Sequence, residues 1–244
     1  NKALELQGEL LKKGTTSPEF TERFDNAKYF TDNWLTTFPL KVEKNTAELP
    51  SGKMLFITPT RAEGFSSSAI FSWKMKIPVG NKLLFYCGKP PAADGKNIEK
   101  PIIVVFQSVK SGILPEGKQD RENHHKLKIS FYQTPVKTIV DRTNFNAMDL
   151  LAPMFPLAVK IYDLPENINE SLYFSIKRHE TFYEISIKEK EGVQTIKDKS
   201  FLETFRVSSA AFLNPAPLQF GFLIPDSNKV NMNLEKIRVD KWIT

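Results

Sequence analysis

The chain has 244 residues, enough for one or two domains at a soft prior of ~150 residues each. Hydrophobic residues make up 41% and charged residues 25%, near the globular averages, which excludes disordered, collagenous and fibrous chains. Lys and Arg number 34 against 28 Asp and Glu, a formal net charge of +6. Acids interrupt the bases at Lys188-Glu189-Lys190-Glu191 and at Lys197-Asp198-Lys199, no block of five bases occurs, and no nucleic-acid motif is present. The charge is therefore that of a solvated surface, and nucleic acid is not an expected partner.

In chain order, Leu4 to Leu11 fits a strand or a helix, with Gly8 favouring a strand. Ser17-Pro18-Glu19 offers an N-cap, a proline at the first helical position and an acid in the first turn. Phe71, Trp73, Met75 and Ile77 then alternate with Ser72, Lys74 and Lys76, the pattern of a half-buried strand that places Trp73 in the core. Leu83 to Cys87 and the run Ile102 to Phe106 follow. Leu127, Ile129 and Phe131 alternate with Lys128, Ser130 and Tyr132. Asn146 to Leu151 makes a helical turn or two before Pro153. Leu172, Phe174 and Ile176 alternate with polar residues, as do Tyr183, Ile185 and Ile187. Ser200-Phe201-Leu202-Glu203 has the form of a capping box, although Phe205-Arg206-Val207 looks extended. Leu218 to Ile224 and Leu234 to Val239 close the chain.

Prolines (16) outnumber glycines (11), and 19 phenylalanines supply a large apolar interior. Strands at this density without long helices predict an all-β antiparallel sandwich or barrel with a few short helical turns. No repeat and no linker divides the chain, and 88–101 is a long loop, so residues 1–244 are expected to form one domain. Cys87 is the only cysteine, which excludes an internal disulfide and a cysteine zinc cluster and suits a small buried hydrophobe. No run of 18 apolar residues occurs. The start at Asn1, without a charged-then-apolar leader, fits a mature exported protein, whether secreted, periplasmic or cell-surface.

Several segments resemble the concanavalin A-like lectin/glucanase superfamily. Phe24-Asp25-Asn26 before Asn33-Trp34 is similar to the opening of those domains. Lys41-Val42-Glu43 followed by Ser51 to Ile57 resembles their early strand pair. Ser175 to Ile185 resembles a hairpin in which a charged turn joins two long strands. Leu218 to Phe222 and Leu234 to Trp242 are similar to the closing strands. The layout covers about residues 22–243 and includes the bacterial 3-keto-disaccharide hydrolase-like group. The resemblance implies a jelly-roll β-sandwich of concanavalin A-like type and a polysaccharide or oligosaccharide partner. Glucanases of the superfamily carry a Glu-x-Asp-x-x-Glu strand, which this sequence lacks, as it lacks the Gln-x-His element of related alginate lyases and an Asp/Asn-rich calcium loop. No cofactor or metal is expected on those grounds.

Candidate ligand residues come from the polar faces of the strands. Tyr132 and Tyr173 lie opposite the apolar residues of their strands, with Lys128, Ser130, Ser175 and Lys177 beside them. Both rings are expected to line one concave groove, where sugar C–H faces stack on aromatics, and Gln219, opposite Phe220 and Phe222, is placed in the same row. His124-His125 precedes the strand 127–132. Adjacent residues of an extended chain point to opposite sides, so at most one of the two joins a given face; His125 is the candidate taken with Tyr132. Its use as a general base requires hydrogen-bond reach of the reacting proton. His179 falls at a hairpin turn and is expected to face solvent. Carbohydrate binding is favoured over catalysis because the glucanase acids are absent. The alternatives are a glycoside hydrolase or polysaccharide lyase with a non-standard site, and a non-catalytic protein-interaction module.

Overall fold

The computed structural model describes residues 15–26, 32–36, 38–63, 65, 68–87, 102–110, 125–133, 155–164, 171–179, 182–189, 200–206 and 219–243. Within them, two antiparallel sheets face each other. The first contains β1 (Thr15–Glu22), β3 (Lys41–Glu43), β4 (Thr46–Leu49), β6 (Ala69–Met75), β11 (Leu172–His179), β12 (Phe182–Lys188), β13 (Ser200–Arg206) and β15 (Met232–Ile243). Its order is β13-β12-β11-β6-β15-β4-β3, and β1 pairs with the C-terminal part of β15. The second has the order β10-β9-β8-β7-β14-β5-β2. Its strands are β2 (Trp34–Thr36), β5 (Met54–Ile57), β7 (Lys82–Cys87), β8 (Ile102–Lys110), β9 (His125–Gln133), β10 (Ala158–Asp163) and β14 (Phe220–Leu223). This is the antiparallel sandwich that the alternation predicts and the jelly-roll form that the resemblance implies, with little helix among the described residues.

The period-two pattern works because each strand buries one side. Phe71, Trp73 and Met75 of β6 are at most 2% exposed, whereas Ser72 and Lys74 between them are half-buried. Trp73 lies between the near-parallel rings of Phe85 (5.2 Å) and Phe174 (5.5 Å), and Phe106 and Phe222 meet it edge-on. Phe85 and Phe222 come from the seven-stranded sheet and Phe174 from the eight-stranded one, so one indole packs against both layers. At one side of the sandwich the edge strands β10 and β13 approach, and Lys160 reaches Glu203 at 3.3 Å. Toward the other side, the buried Glu22 of β1 accepts the indole N–H of Trp34 in β2 at 3.2 Å.

Several local expectations are corrected. Ser17-Pro18-Glu19 lies in β1, paired to β15, and the register shifts between Pro18 and Phe20, where a proline without an N–H is tolerated in a bulge. Ser200 to Glu203 lies in β13, and its ladder to β12 prevails over a local capping signal. A helical turn within the described residues, α1 (Pro59–Ala62), begins where the Thr58 hydroxyl accepts the Arg61 N–H at 3.4 Å and proline occupies the first turn. Lys41–Glu43 and Met54–Ile57 are not a pair, because they belong to opposite sheets. β3 pairs instead with β4 through a two-residue turn, Lys44-Asn45, both at positive φ as a type I′ hairpin requires. Leu4–Leu11, Asn146–Leu151 and the loop 88–101 lie outside the described residues.

Two asparagines fix the approach of the last strands. Asn228 accepts the Lys82 N–H at 2.8 Å and donates to the Lys82 carbonyl at 2.7 Å. Asn81 does the reverse service for the 229–230 backbone, donating to Val230 O and accepting from Lys229 N–H. These side chains substitute for a strand ladder at the turn between β14 and β15.

Candidate functional site

The two sheets present chemically different outer faces. On the seven-stranded sheet, the pairing register aligns Tyr132, Ile103, Tyr86, Gly221, Phe56 and Leu35 in one cross-strand row. Tyr86 and Phe56 are at most 3% exposed and belong to a second apolar cluster, with Met54, Leu84, Val105 and Leu223, against which Tyr132 packs half-buried. Gly221 has no side chain because a Cβ there would meet the Leu55 carbonyl oxygen at 2.4 Å and the Phe56 ring at 2.6 Å. The centre of this face is therefore closed apolar packing.

The expected ligand residues of that sheet do not converge. Lys128 is exposed on the same side of β9 as Tyr132, whereas His125 starts the strand on the parity of Leu127, Ile129 and Phe131, the core side. The residue is half-buried, and its Nδ1 is buried without a hydrogen-bond partner. Gln219 is 4% exposed, with an Nε2 that lacks a partner, and it precedes β14, three strands away from β9. Tyr173 belongs to the other sheet altogether. The single groove holding both tyrosines does not form, since their outer faces lie on opposite sides of the sandwich.

Tyr173 instead stands in a polar array on the eight-stranded sheet. The register aligns Lys188, Tyr173, Lys74 and Lys236 across β12, β11, β6 and β15. The next row is Ser186, Ser175, Ser72, Arg238 and Thr21. The third is Glu184, Lys177, Ile70 and Asp240. The first row, the second row as far as Arg238, and Asp240 line a hollow of about 160 Å³.

Charge in the hollow is ordered by short contacts. The Lys74 ammonium lies 2.6 Å from Glu235 and 5.5 Å from the centre of the Tyr173 ring. Glu235 also accepts the Ser171 hydroxyl. It occupies the register shift between Leu234 and Lys236, a bulge that aims its carboxylate across the sheet. Arg238 donates from Nε (2.8 Å) and from a terminal nitrogen (2.7 Å) to one oxygen of Asp240. Lys177 is buried with its ammonium 3.7 Å above the Trp242 ring. Burial lowers its pKa, and Glu184 opposes that shift. Such a surface offers hydroxyls, cations and one aromatic edge, the groups that bind a hydroxyl-rich or anionic ligand. Glu235 and Asp240 each hold a cation, which does not suit the pair of acids ~5 Å apart that retaining glycoside hydrolysis needs. Among the described residues, no group of three or more His, Cys, Asp and Glu is placed to hold a metal ion. Among them, too, no helix is long and apolar enough to cross a membrane.

Tyr173 and its neighbours Ser175 and Lys177 were accessible from alternation. Alternation also put Lys74 and Lys188 on the polar sides of their strands, but only the pairing register brings them beside Tyr173, Lys236 and Arg238.

No protein-family model and no curated protein matches the sequence. Solved structures do match by shape. The VIP36 exoplasmic/lumenal domain in its Ca2+/Man3GlcNAc-bound form has a TM-score of 0.55 at 9% identity, over 94% of this chain and 92% of that one. The CBM2 module of the evolved Dit of Lactobacillus casei BL23 phage J-1 gives 0.54 at 8% identity, over 95% and 98%. Bacteroides ovatus xyloglucan PUL GH43B gives 0.52 at 12% identity, over 91% of this chain and 39% of that one. The fold is thus a concanavalin A-like jelly-roll sandwich. At these identities the likeness is one of fold alone.

Proposed function

We propose that this chain is an exported carbohydrate-binding protein that holds its ligand on the outer face of the eight-stranded sheet. The observation that carries the reading is the hollow in which Tyr173 stands beside the serine row Ser186–Ser175–Ser72. An aromatic ring gives a sugar an apolar surface, and the adjacent hydroxyls exchange hydrogen bonds with its hydroxyls. A fold shared with a VIP36 domain solved with Man3GlcNAc supports the class of ligand. Binding is favoured over hydrolysis because Glu235 and Asp240 are engaged with Lys74 and Arg238.

A glycan-array screen, followed by titration of the hits, tests the proposal. Tyr173→Ala should weaken binding about fivefold or more, the equivalent of ~1 kcal/mol for an aromatic contact. Tyr132→Ala, on the opposite side of the sandwich, should leave the affinity unchanged. The reverse pattern would move the site to the seven-stranded sheet, and turnover of a bound glycan would replace binding by catalysis.

A further inference from the structure

We propose that the edge of the seven-stranded sheet at β10 is the interface through which two copies of this chain pair into a two-fold dimer. The residues before and along this strand carry a stripe of exposed apolar side chains. Phe155 is 92% exposed, Leu157 59%, Val159 43% and Ile161 62%. In the register to β9, Val159 and Ile161 lie beside Ser130 and Lys128, so the stripe belongs to the outer face. Further into that face, Ile103, Tyr86 and Phe56 are buried, whereas the stripe on β10 is uncovered. Among the described residues β10 pairs with β9 alone. The Leu164 N–H donates to the His125 carbonyl at 2.9 Å, and antiparallel bonding alternates along a strand. The even-numbered residues of β10 therefore bond to β9, and Val159 and Ile161 turn their N–H and C=O groups to the edge. An apolar edge with free backbone groups is a template for another strand. Lys160, the cation of this strand, does not guard it, since its side chain runs inward to Glu203.

The pattern is self-complementary, which selects a second copy as the occupant. A two-fold axis normal to the sheet at Ala158 pairs the strands antiparallel and sets Phe155 against Ile161, and Leu157 against Val159, of the other copy. All four apolar residues then meet an apolar residue across the junction, and Lys160 meets Pro156. An axis at Val159 would set Phe155 against Asp163, and one at Lys160 would oppose the two lysines. The odd-numbered residues matched in this way include Val159 and Ile161, whose backbone groups point to the edge. An apolar strand of an unrelated protein has no reason to be matched by this symmetry. At these exposures the four residues uncover roughly 500 Å² per copy, so two copies bring on the order of 1,000 Å² to the contact, the lower limit of a specific interface. The dimer is accordingly a reversible one, formed by monomers that are folded on their own.

Sedimentation velocity of the full chain, from micromolar to near-millimolar concentration, tests the proposal. It should show a monomer–dimer equilibrium that Ile161→Lys weakens about tenfold or more, because a charge on the edge opposes strand addition. Val230→Lys, at a residue 49% exposed away from this edge, should leave the equilibrium unchanged. Circular dichroism checks that each variant is folded, and Val159→Pro, which removes only an N–H turned away from β9, supplies the comparison if Ile161→Lys misfolds. The register has its own readout. Oxidation of a mixture of Leu157→Cys and Val159→Cys copies should give the mixed disulfide in preference to either symmetric one, since these positions are opposed across the junction. A monomer at every concentration overturns the inference. A dimer indifferent to Ile161→Lys and Val159→Pro places the interface elsewhere and overturns it as well. Open-ended association beyond the dimer, or symmetric disulfides in preference to the mixed one, overturns the two-fold pairing at Ala158.

Discussion

Glu22 gives the sharpest test of how the two sheets are held together. Its side chain is fully buried, accepting the Phe24 N–H at 2.8 Å and the Trp34 indole N–H at 3.2 Å. The first bond secures a residue at φ 57°, and the second crosses from the eight-stranded to the seven-stranded sheet. Glu22→Ala strands both donors in the interior at about 1–3 kcal/mol each, so the gross loss is about 2–6 kcal/mol. Removal of a buried charge returns part of that, and we expect a net loss of about 2–4 kcal/mol at neutral pH. The pH dependence separates the two contributions. Burial raises the Glu22 pKa above 4.5, against the hydrogen bonds from Phe24 and Trp34 that lower it. Between the unfolded and folded pKa values the native state binds more protons, so the carboxyl's contribution is fully present below the unfolded value and lost as pH rises through the folded one. Urea unfolding followed by tryptophan fluorescence should therefore show the stability of wild type relative to Glu22→Gln falling as pH rises from below 4.5 toward neutrality. A difference that grows with pH would show that the hydrogen bonds outweigh desolvation. An alanine variant as stable as wild type would show that this inter-sheet contact contributes nothing net.

Phe174→Ala should cost about 3–5 kcal/mol, because its ring stacks on Trp73 and meets Phe106 at 5.1 Å, whereas Tyr173→Ala should cost under about 1 kcal/mol. Equal losses in chemical denaturation would invert the assignment of faces on β11. Cys87, 5% exposed in the core beside Tyr183, should react with a thiol reagent slowly when native and quickly once unfolded; rapid native labelling would place the thiol at the surface. Burial pushes the Tyr162 hydroxyl up to about 12, and Glu189 adds to the shift. Its stabilising contribution is thus intact below pH 10.0 and declines as pH rises toward the folded value. Tyrosinate absorbance should show a late-titrating group that Tyr162→Phe removes, and an unchanged late phase in that variant would refute the assignment.

The fold was legible wherever a strand buries one side and wets the other. In β6, β9, β11 and β12 the apolar members occupy alternate positions because the core lies on one side only. β10 escaped notice because its pattern is reversed: Val159 and Ile161 are 43% and 62% exposed, while Lys160 shares the inward parity of Ala158 and buried Tyr162. On an edge strand a lysine can run along the inward side and leave by the open flank, here to Glu203. β1 and β13 were hidden for a different reason. Their short sequences carry helix-start signals, and the partner strand that overrides those signals lies more than two hundred residues away for β1 and is the preceding strand, β12, for β13.

For the site, alternation identified a side of each strand but not the sheet to which the strand belongs. Tyr132 and Tyr173 both point outward from the core, as their strands predict, yet outward means opposite directions on the two layers. The bulge in β15 was still less visible. Leu234 faces the core, and in an unbroken strand Lys236 and Arg238 would share its side. The extra residue, Glu235, reverses the parity, so that Ile237 and Val239 enter the core and Lys236, Arg238 and Asp240 join the outer face. The same inserted carboxylate then lies against Lys74 and offsets the like-charge pair its insertion brings together. One irregular residue thus decides which side chains of β15 face outward and places a carboxylate against Lys74, a consequence that no period-two reading of residues 232–243 contains.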